Sequence, residues 1–353
     1  ALGSVSRRDV QEVVLLSIAI VILARNEQEG IGNVLEQLSK QTLLASGAEA
    51  ITIHVVVNGS TDSTAERARA EENSFGPPHQ LVVHDLPQGG KSRSWNKAVH
   101  ELVGEDAEFI FFIDADIAFV DDEVLLELLA TLIDHAEAAV ATGYPVKAIA
   151  TKVRKSLLDR FSLAISRQSR HAGAINGSLY VGRADELRAI SLPNETPGED
   201  GFLNAMVTTH GFSRSPNPAR VIGSDRPTHY FEAHHPTAFF RHERRMIVGT
   251  MVNIWLFEHL WSLRLQQPAG SLIRQWNKER PDWVEQVLRR SAGKRHWTVR
   301  SEILLGRLAA GRDRPAAKRL LFLPLALAAT ILTIPPALAA NRALKRLGAA
   351  KTW

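Results

Sequence analysis

Phe111-Phe112-Ile113-Asp114-Ala115-Asp116 places two carboxylates, one residue apart, at the end of an apolar run. Along an extended strand, residues i and i+2 project to one side. Asp114 and Asp116 are therefore expected to share a face where the chain leaves its core. Two hard oxygen donors this close suit Mg²⁺ or Mn²⁺ held jointly with phosphate oxygens. Such an ion would neutralise a departing nucleoside diphosphate as a Lewis acid. The plainer reading is an acidic loop entering a helix at Val124; Asp121 and Asp122 fit that reading as helix caps. Gly89-Gly90-Lys91 offers a second feature, a cation and free backbone N–H groups at a helix start, which suit phosphate. Its ordinary alternative is a glycine turn with a solvated lysine. A third is Pro197-Gly198-Glu199-Asp200, whose residues fit the first turn of a helix and bring two more carboxylates with them.

The elements that must position these groups alternate. Strand signals fall at Ser17 to Leu23, Ile51 to Val57, Leu81 to His84 and Phe109 to Ile113. Helical signals fall at Ile31 to Gln41, Ser63 to Glu72, Lys91 to Leu102 and Val124 to His135. Phe109 to Ile113 is apolar throughout, as a strand covered on both faces would be. This rhythm predicts an α/β domain with a mainly parallel sheet flanked by helices, in which ligands bind at the carboxyl ends of the strands. Beyond it the pattern loosens. Lys152 to Arg170 reads as a basic helix, Gly177 to Val181 as a strand, Ser213 to Thr228 as a loop, and Met246 to Leu265 as a helix carrying Trp255, Phe257, Leu260 and Trp261. The expected organisation is a catalytic domain over 13–267, with a nucleotide-binding half to about residue 120 and an acceptor half over 121–267. A helical C-terminal region over 268–353 follows it.

Composition narrows the classes. The 353 residues are 45% hydrophobic, enough for a sizeable core, and the formal net charge is only +4. That small basic excess argues against nucleic acid as the partner and fits an anionic small ligand or an anionic membrane surface. With no cysteine, disulfides, zinc–thiolate sites and thiol nucleophiles are excluded. Arg7 and Arg8 before the apolar run Val13 to Leu23 have the outline of a signal peptide, but the run lacks a small-residue cleavage site and reads as a buried strand. The apolar stretch 320–340 is long enough for a bilayer. Pro324, Pro335 and Pro336 interrupt it and basic residues flank it, so an interfacial or re-entrant segment is expected in preference to a clean span. A helix packed on the protein is the alternative.

Taken in order, four signals make the chain resemble a family 2 glycosyltransferase of the GT-A fold, over roughly residues 15 to 260. They are Ile22-Leu23-Ala24-Arg25-Asn26-Glu27; Val55 to Thr64 with Asn58-Gly59-Ser60 at its centre; Gly90-Lys91-Ser92 with Asn96, leading to Asp114-Ala115-Asp116; and Pro197-Gly198-Glu199-Asp200. The resemblance implies that Ala24, Arg25, Asn26, Glu27, Asn58, Lys91, Asp114 and Ala115 meet the nucleotide, and that Asp116 and Asp114 hold the metal. Asp200 would be the general base on an acceptor hydroxyl, oriented by Glu199. Where the family commonly has Asp, this chain has Val57 or Asn58. An amide can still hydrogen-bond a base, and UDP is the default expectation.

Arg241-His242-Glu243-Arg244-Arg245 resembles the family's Gln/Arg-x-x-Arg-Trp element. Arg241, Arg244 and Arg245 would share one helical face toward diphosphate oxygens. The family's Trp is replaced by Arg245, which puts acceptor stacking and processive synthesis in doubt. His235, or its neighbour His234, could complete the metal site. Gly177-Ser178-Leu179-Tyr180 resembles the acceptor-side strand.

The expectation is an inverting hexosyltransferase using a nucleotide sugar, Mn²⁺ or Mg²⁺ and a hydroxyl acceptor. The acceptor would be lipid-linked or a cell-envelope glycan, and the enzyme would act at the cytoplasmic face of a membrane. A metal-dependent phosphatase or nucleotidyltransferase using Asp114 and Asp116 is an alternative. Haloacid-type hydrolases also carry Asp-x-Asp after an apolar strand, but on their first strand and with Thr or Val where this chain has Ala118. A non-catalytic nucleotide-sugar-binding subunit is another.

Overall fold

The computed structural model describes residues 16–45, 50–151, 173–231, 239–293, 296–309 and 316–346. The helix expected over Lys152 to Arg170, together with His234 and His235, lies outside the described residues.

Strands β1 (Ile18–Ala24), β2 (Thr52–Asn58), β3 (Gln80–Leu86) and β4 (Phe109–Asp114) form the parallel part of a seven-stranded sheet. Its remaining strands are β6 (Val140–Thr142), β8 (Leu179–Arg183) and β9 (Val221–Gly223), in the spatial order β3-β2-β1-β4-β8-β6-β9. Strand β8 runs antiparallel to both β4 and β6. The order reverses at β1, and the carboxyl ends of β1, β2 and β4 all face the same edge. A ligand crevice is expected there. Every residue of β1 is buried, as are the first five of β4, so the alternating pattern of a one-sided sheet is absent. Helix α1 (Ile31–Ser39) covers one face with Ile31, Val34, Leu35 and Leu38, the i, i+3, i+4, i+7 stripe of an amphipathic helix. Helices α2 (Thr64–Ala70), α3 (Lys91–Lys97) and α4 (Val124–Ile133) complete the layers.

A second small sheet has the order β5-β10-β7, from β5 (Ile117–Phe119), β10 (His229–Phe231) and β7 (Pro145–Lys147). Nothing in the spacing of these three-residue strands predicts their pairing. Likewise β9 lies inside the stretch read as a loop, and the acceptor-side strand begins at Leu179 instead of Gly177. The expected Lys91 to Leu102 helix is α-helical only to Lys97 and continues as a π-turn over Ala98–Leu102. The turn ends where Val103 N–H bonds Ala98 O at 2.9 Å.

The chain divides into two compact units, one of residues 1–194, 199–233 and 265–274, the other of 195–198, 234–264 and 275–353. The second contains α6 (Phe239–Ser262), α7 (Trp283–Ala292), α8 (Ser301–Ala309) and α9 (Ala316–Arg346). Helix α6 begins seven residues before the expected Met246, because Phe239 to Arg245 contains neither Gly nor Pro to stop it. It packs on α9 and α7, so its neighbours are the C-terminal helices. Helix α9 runs unbroken through Pro324, Pro335 and Pro336, whereas the sequence reading took these prolines as interruptions. Each proline removes one backbone donor, and the remaining turns carry the helix across.

Candidate active site

Asp114 is the last residue of β4 and Ala115-Asp116 form the turn into β5. Strand alternation therefore does not bring the two carboxylates together, since the strand stops at the first of them. The turn does it. Ala115 is buried, and its carbonyl lies 3.0 Å from where a Cβ on Gly30 would stand. A side chain at position 30 would push this turn away from α1. Asp116 is exposed and Asp114 half-buried.

Both aspartates act on Glu27, at the β1–α1 turn. Burial pushes the Glu27 carboxyl up to about 7, with Asp116, Asp114 and Asp62 adding to the effect in that order. The turn itself is built by side-chain caps. Asn26 has φ of 56° and its side-chain Oδ1 accepts from Thr61 N–H at 2.9 Å. Glu27 N–H donates to Thr64 Oγ1 at 2.9 Å, and Gln28 N–H to Asp62 at 3.2 Å. Asp62 also accepts from Thr64 N–H at 3.1 Å, just before α2. Asp121 accepts from Glu123 N–H at 3.1 Å but is chiefly ion-paired to Arg226, so its role at the start of α4 is only partly that of a cap.

Asn58 and Ala24 end adjacent strands. Asn58 Nδ2 donates to Ala24 O at 3.0 Å, and Asn58 Oδ1 accepts from Gly90 N–H at 3.2 Å. The side chain is buried, so it braces β1 against the Gly89-Gly90 turn in the place where a contact to a nucleobase was expected. Gly59 (φ 62°) has no room for a side chain, because a Cβ there would lie 2.5 Å from Gly89 N. Arg25 reaches over Gly89, with its guanidinium carbon 3.2 Å from the Cβ position of that glycine.

Lys91 differs most from expectation. It was read as a phosphate ligand, but its Nζ stands 2.7 Å and 2.9 Å from the two Asp114 oxygens and 3.4 Å from Glu199 Oε1. It also donates to Gly177 O at 3.3 Å. Burial opposes its charge, yet Asp114 and then Glu199 raise its pKa, so it stays ionised. Burial pushes Asp114 up to about 6 against the pull of Lys91. Helix α5 (Glu199–Thr208) presents Glu199 and Asp200 in its first turn. Asp200 keeps an exposed edge while its carboxyl stands against the cavity wall; the water lost there, and then the charge of Glu199, raise its pKa.

Lys91, Asp114, Gly177, Tyr180, Glu199 and Asp200 line a single cavity. The sequence reading named four of these and treated Gly177-Ser178-Leu179-Tyr180 only as a strand. Gly177 is required by closeness: a Cβ there would stand 3.1 Å from Asp200 Cβ. Tyr180 accepts from Trp95 Nε1 at 2.7 Å, and both rings stack on Phe112, with centroids at 5.1 Å for Tyr180 and 5.6 Å for Trp95. Among the motif residues only the spacing of Trp95, four residues after Lys91, signals this aromatic floor, by putting it on the same helical face.

Arg241, Arg244 and Arg245 lie on α6, in the second compact unit; Arg241 and Arg245 are exposed and Arg244 is half-buried.

No metal is needed to describe these contacts, but the donor set can be tested for one. Glu27, Asp114 and Asp116 concentrate negative charge at the end of β4, and their mutual repulsion is visible in Glu27. Among the described residues no three Asp, Glu or His side chains form a closed cage. One or two carboxylates completed by water and phosphate oxygens is the usual arrangement for Mg²⁺, and the residues present fit that open kind of site.

Residues 19–183 match the model of glycosyl transferase family 2. Among solved structures, the chain is similar to a mycobacterial protein at 17% identity, with a TM-score of 0.50 over 72% of this chain and 79% of that one. It is similar to glucosyl-3-phosphoglycerate synthase from Mycobacterium tuberculosis, solved with Mn²⁺, UDP-glucose and phosphoglyceric acid, at 17% identity and TM-score 0.48, covering 67% and 79% of the two chains. It is also similar to S. aureus TarS 1–349 at 16% identity and TM-score 0.43, covering 94% and 92%. These are likenesses of fold. A search of curated proteins found no match.

Proposed function

The chain belongs to glycosyltransferase family 2 through residues 19–183 and has the GT-A fold; from that premise we propose that it is an inverting hexosyltransferase working by single displacement. The donor would be a nucleotide sugar, with UDP as the first candidate, and the acceptor a hydroxyl group. One observation carries the reading: Asp114 and Asp200, from two separate sequence motifs, line the same cavity together with Lys91, which pairs with Asp114 and Glu199.

In this reading Asp200 takes the proton from the acceptor hydroxyl as that oxygen attacks the anomeric carbon. Its raised pKa suits a base that must hold a proton briefly. Glu199, tied to Lys91, orients this end of the cavity. Asp116, with Asp114 and Glu27 behind it, would hold Mn²⁺ or Mg²⁺, and such an ion supplies charge neutralisation to the leaving diphosphate. Ala24, Arg25 and Asn26 meet the nucleotide on the turn that Asn58 braces. Arg241, Arg244, Arg245 and His235 remain candidates for the diphosphate and the metal. Residues to about 120 would serve the donor and those after it the acceptor. Release of UDP from a panel of UDP-hexoses, with Mn²⁺ and with or without a hydroxyl acceptor, tests the reading. Acceptor-stimulated release supports it; phosphate release from monoesters would favour a phosphatase, and tight binding without turnover a binding subunit.

The exposed stripe of α9 supports a membrane-proximal, lipid-linked or envelope acceptor. Leu323, Leu327, Ile331, Ile334 and Leu338 are all exposed at spacings of three and four, one stripe of the helix. Arg342, Lys345 and Arg346 are exposed at its end, while Ala337, Ala340 and Leu344 are buried. Ala326–Arg346 is long and apolar enough to cross a membrane by length and composition. The stripe with a basic end favours a helix lying against an anionic cytoplasmic leaflet. The full chain should float with anionic vesicles, and the Leu327→Glu/Ile331→Glu variant should not. Equal flotation of both would remove this part of the reading.

A further inference from the structure

His229 is wholly buried in β10, outside every motif considered above, yet both its ring nitrogens are engaged. Nε2 is 2.7 Å from Ser178 Oγ, and Nδ1 is 2.9 Å from Thr228 Oγ1. The Ser178 end sets the direction of its own proton, and the Thr228 hydroxyl has two acceptors in reach, His229 Nδ1 at 2.9 Å and Tyr144 O at 3.3 Å. Ser178 Oγ is 2.5 Å from Asn176 Oδ1, which can only accept, so the serine hydroxyl donates there. The hydroxyl must then accept from His229 Nε2–H. In the neutral imidazole that burial favours, Nδ1 is then unprotonated and accepts from the Thr228 hydroxyl by the shorter of that hydroxyl's two contacts, while Thr228 Oγ1 accepts from Tyr144 N–H at 2.8 Å. The result is one directed chain, Tyr144 to Thr228 to His229 to Ser178 to Asn176, satisfied at each step by a neutral imidazole with its proton on Nε2. Burial agrees, pulling the ring's pKa down to about 4.

The far end of the chain is the segment 176–178, which touches the candidate catalytic groups through its backbone. Ser178 O accepts from Asp114 N–H at 2.9 Å and Gly177 O from Lys91 Nζ at 3.3 Å. Ser178 N–H donates to Asn176 Oδ1 at 3.0 Å, and Asn176 N–H to Thr142 Oγ1 at 2.8 Å, closing the segment on itself and on β6. The same segment passes close to Asp200 at Gly177. We propose that His229 is a positioning residue: through Ser178 it fixes the 176–178 segment, and through that segment the relative placement of Asp114, Lys91 and Asp200. It touches no reacting atom. The proposal rests on the transferase reading for its catalytic consequence and on the hydrogen-bond chain alone for its structural one.

The test compares His229→Asn, His229→Gln and Ser178→Ala with the wild type. Asn is too short to reach Ser178, whereas the Gln amide can place an N–H where Nε2 stood. His229→Asn and Ser178→Ala should each lower kcat about 10- to 100-fold, the cost of a small misplacement of reacting groups, with donor KM changed less than about twofold. His229→Gln should recover most of kcat, and the double variant His229→Asn/Ser178→Ala should be no worse than the worse single one. Amide exchange at Asp114 should quicken in both damaging variants and not in His229→Gln. The ¹⁵N spectrum of wild-type His229 should show the neutral Nε2–H tautomer from pH 5 to 8. The proposal is overturned if His229→Asn lowers the melting temperature while leaving kcat and Asp114 exchange unchanged, if the two losses in kcat multiply, or if Gln is as damaging as Asn. Should the wild type transfer no sugar, the transferase reading fails on that result, and the exchange and tautomer measurements still decide the role of His229.

Discussion

Asp114 and Asp200 face one cavity from supports of opposite character. Asp114 ends a strand flanked on both sides by β1 and β8, whose preceding residues are all buried. Asp200 sits in the first turn of a ten-residue helix, where backbone N–H groups lack helical partners. A carboxylate on the strand end is held by the whole sheet and suits a fixed charge. One on a helix start can adjust with its helix and suits a group that must meet a variable acceptor. The difference teaches that the Asp114 end of the cavity is set by the core, and the Asp200 end by side-chain contacts between distant segments, such as Lys91 to Glu199.

Asp200→Asn should give the largest effect. Loss of a general base lowers turnover by about 10²- to 10⁴-fold, while melting temperature and donor affinity stay near wild type; steady-state kinetics and a thermal melt read both. A comparable loss of donor affinity would mean that the helix-borne acid serves the donor too, and the contrast would dissolve. Phe111→Ala, behind Asp114 in the same strand, should cost about 3–5 kcal/mol of stability, measured by denaturant unfolding, because Phe111 is fully buried. A cost under about 1 kcal/mol would show that the strand is not the rigid support described.

The charge on the donor side gives a pH signature. With a pKa of about 7 in the folded protein against 4.5 in a free side chain, Glu27 keeps a proton that the unfolded chain loses. The folded state binds more protons in that window, so metal-free stability contributed by Glu27 falls as pH rises from about 4.5 through 7. Mn²⁺, which favours the ionised form, should bind more tightly as pH rises over the same range. Glu27→Gln should flatten both trends in melts taken with and without Mn²⁺. Persistence of the full pH dependence in that variant would place the responsible group elsewhere. Gly59→Ala should cost about 1–3 kcal/mol from the left-handed backbone and more where its Cβ meets the Gly89 backbone, with donor affinity falling more than kcat because the strain falls on the Gly89 turn.

The Asp114 side is also the more legible in sequence. Four apolar strands, the stripe of α1 and the acid pair after Phe111-Phe112-Ile113 are local patterns whose period reports burial directly. The Asp200 side depends on contacts between distant segments. No spacing announces that Lys91 pairs with Asp114, that Gly177 must be small beside Asp200, or that three-residue strands from 117, 145 and 229 pair into a sheet. Asn58 shows the limit within the legible half. Its residue type suggested a base contact, while its amide is committed to Ala24 and Gly90, partners that only the fold brings near. In α9 the prolines argued for a break, and the rest of the helix outweighed them.

The division of labour between the two carboxylates is tested most directly by calorimetric titration of a UDP-hexose in the presence of Mn²⁺ into the wild type, Asp114→Ala and Asp200→Asn. The account predicts binding that is metal-dependent, severely weakened by Asp114→Ala and close to wild type in Asp200→Asn. Equal affinity for wild type and Asp114→Ala, with binding lost in Asp200→Asn, would contradict it.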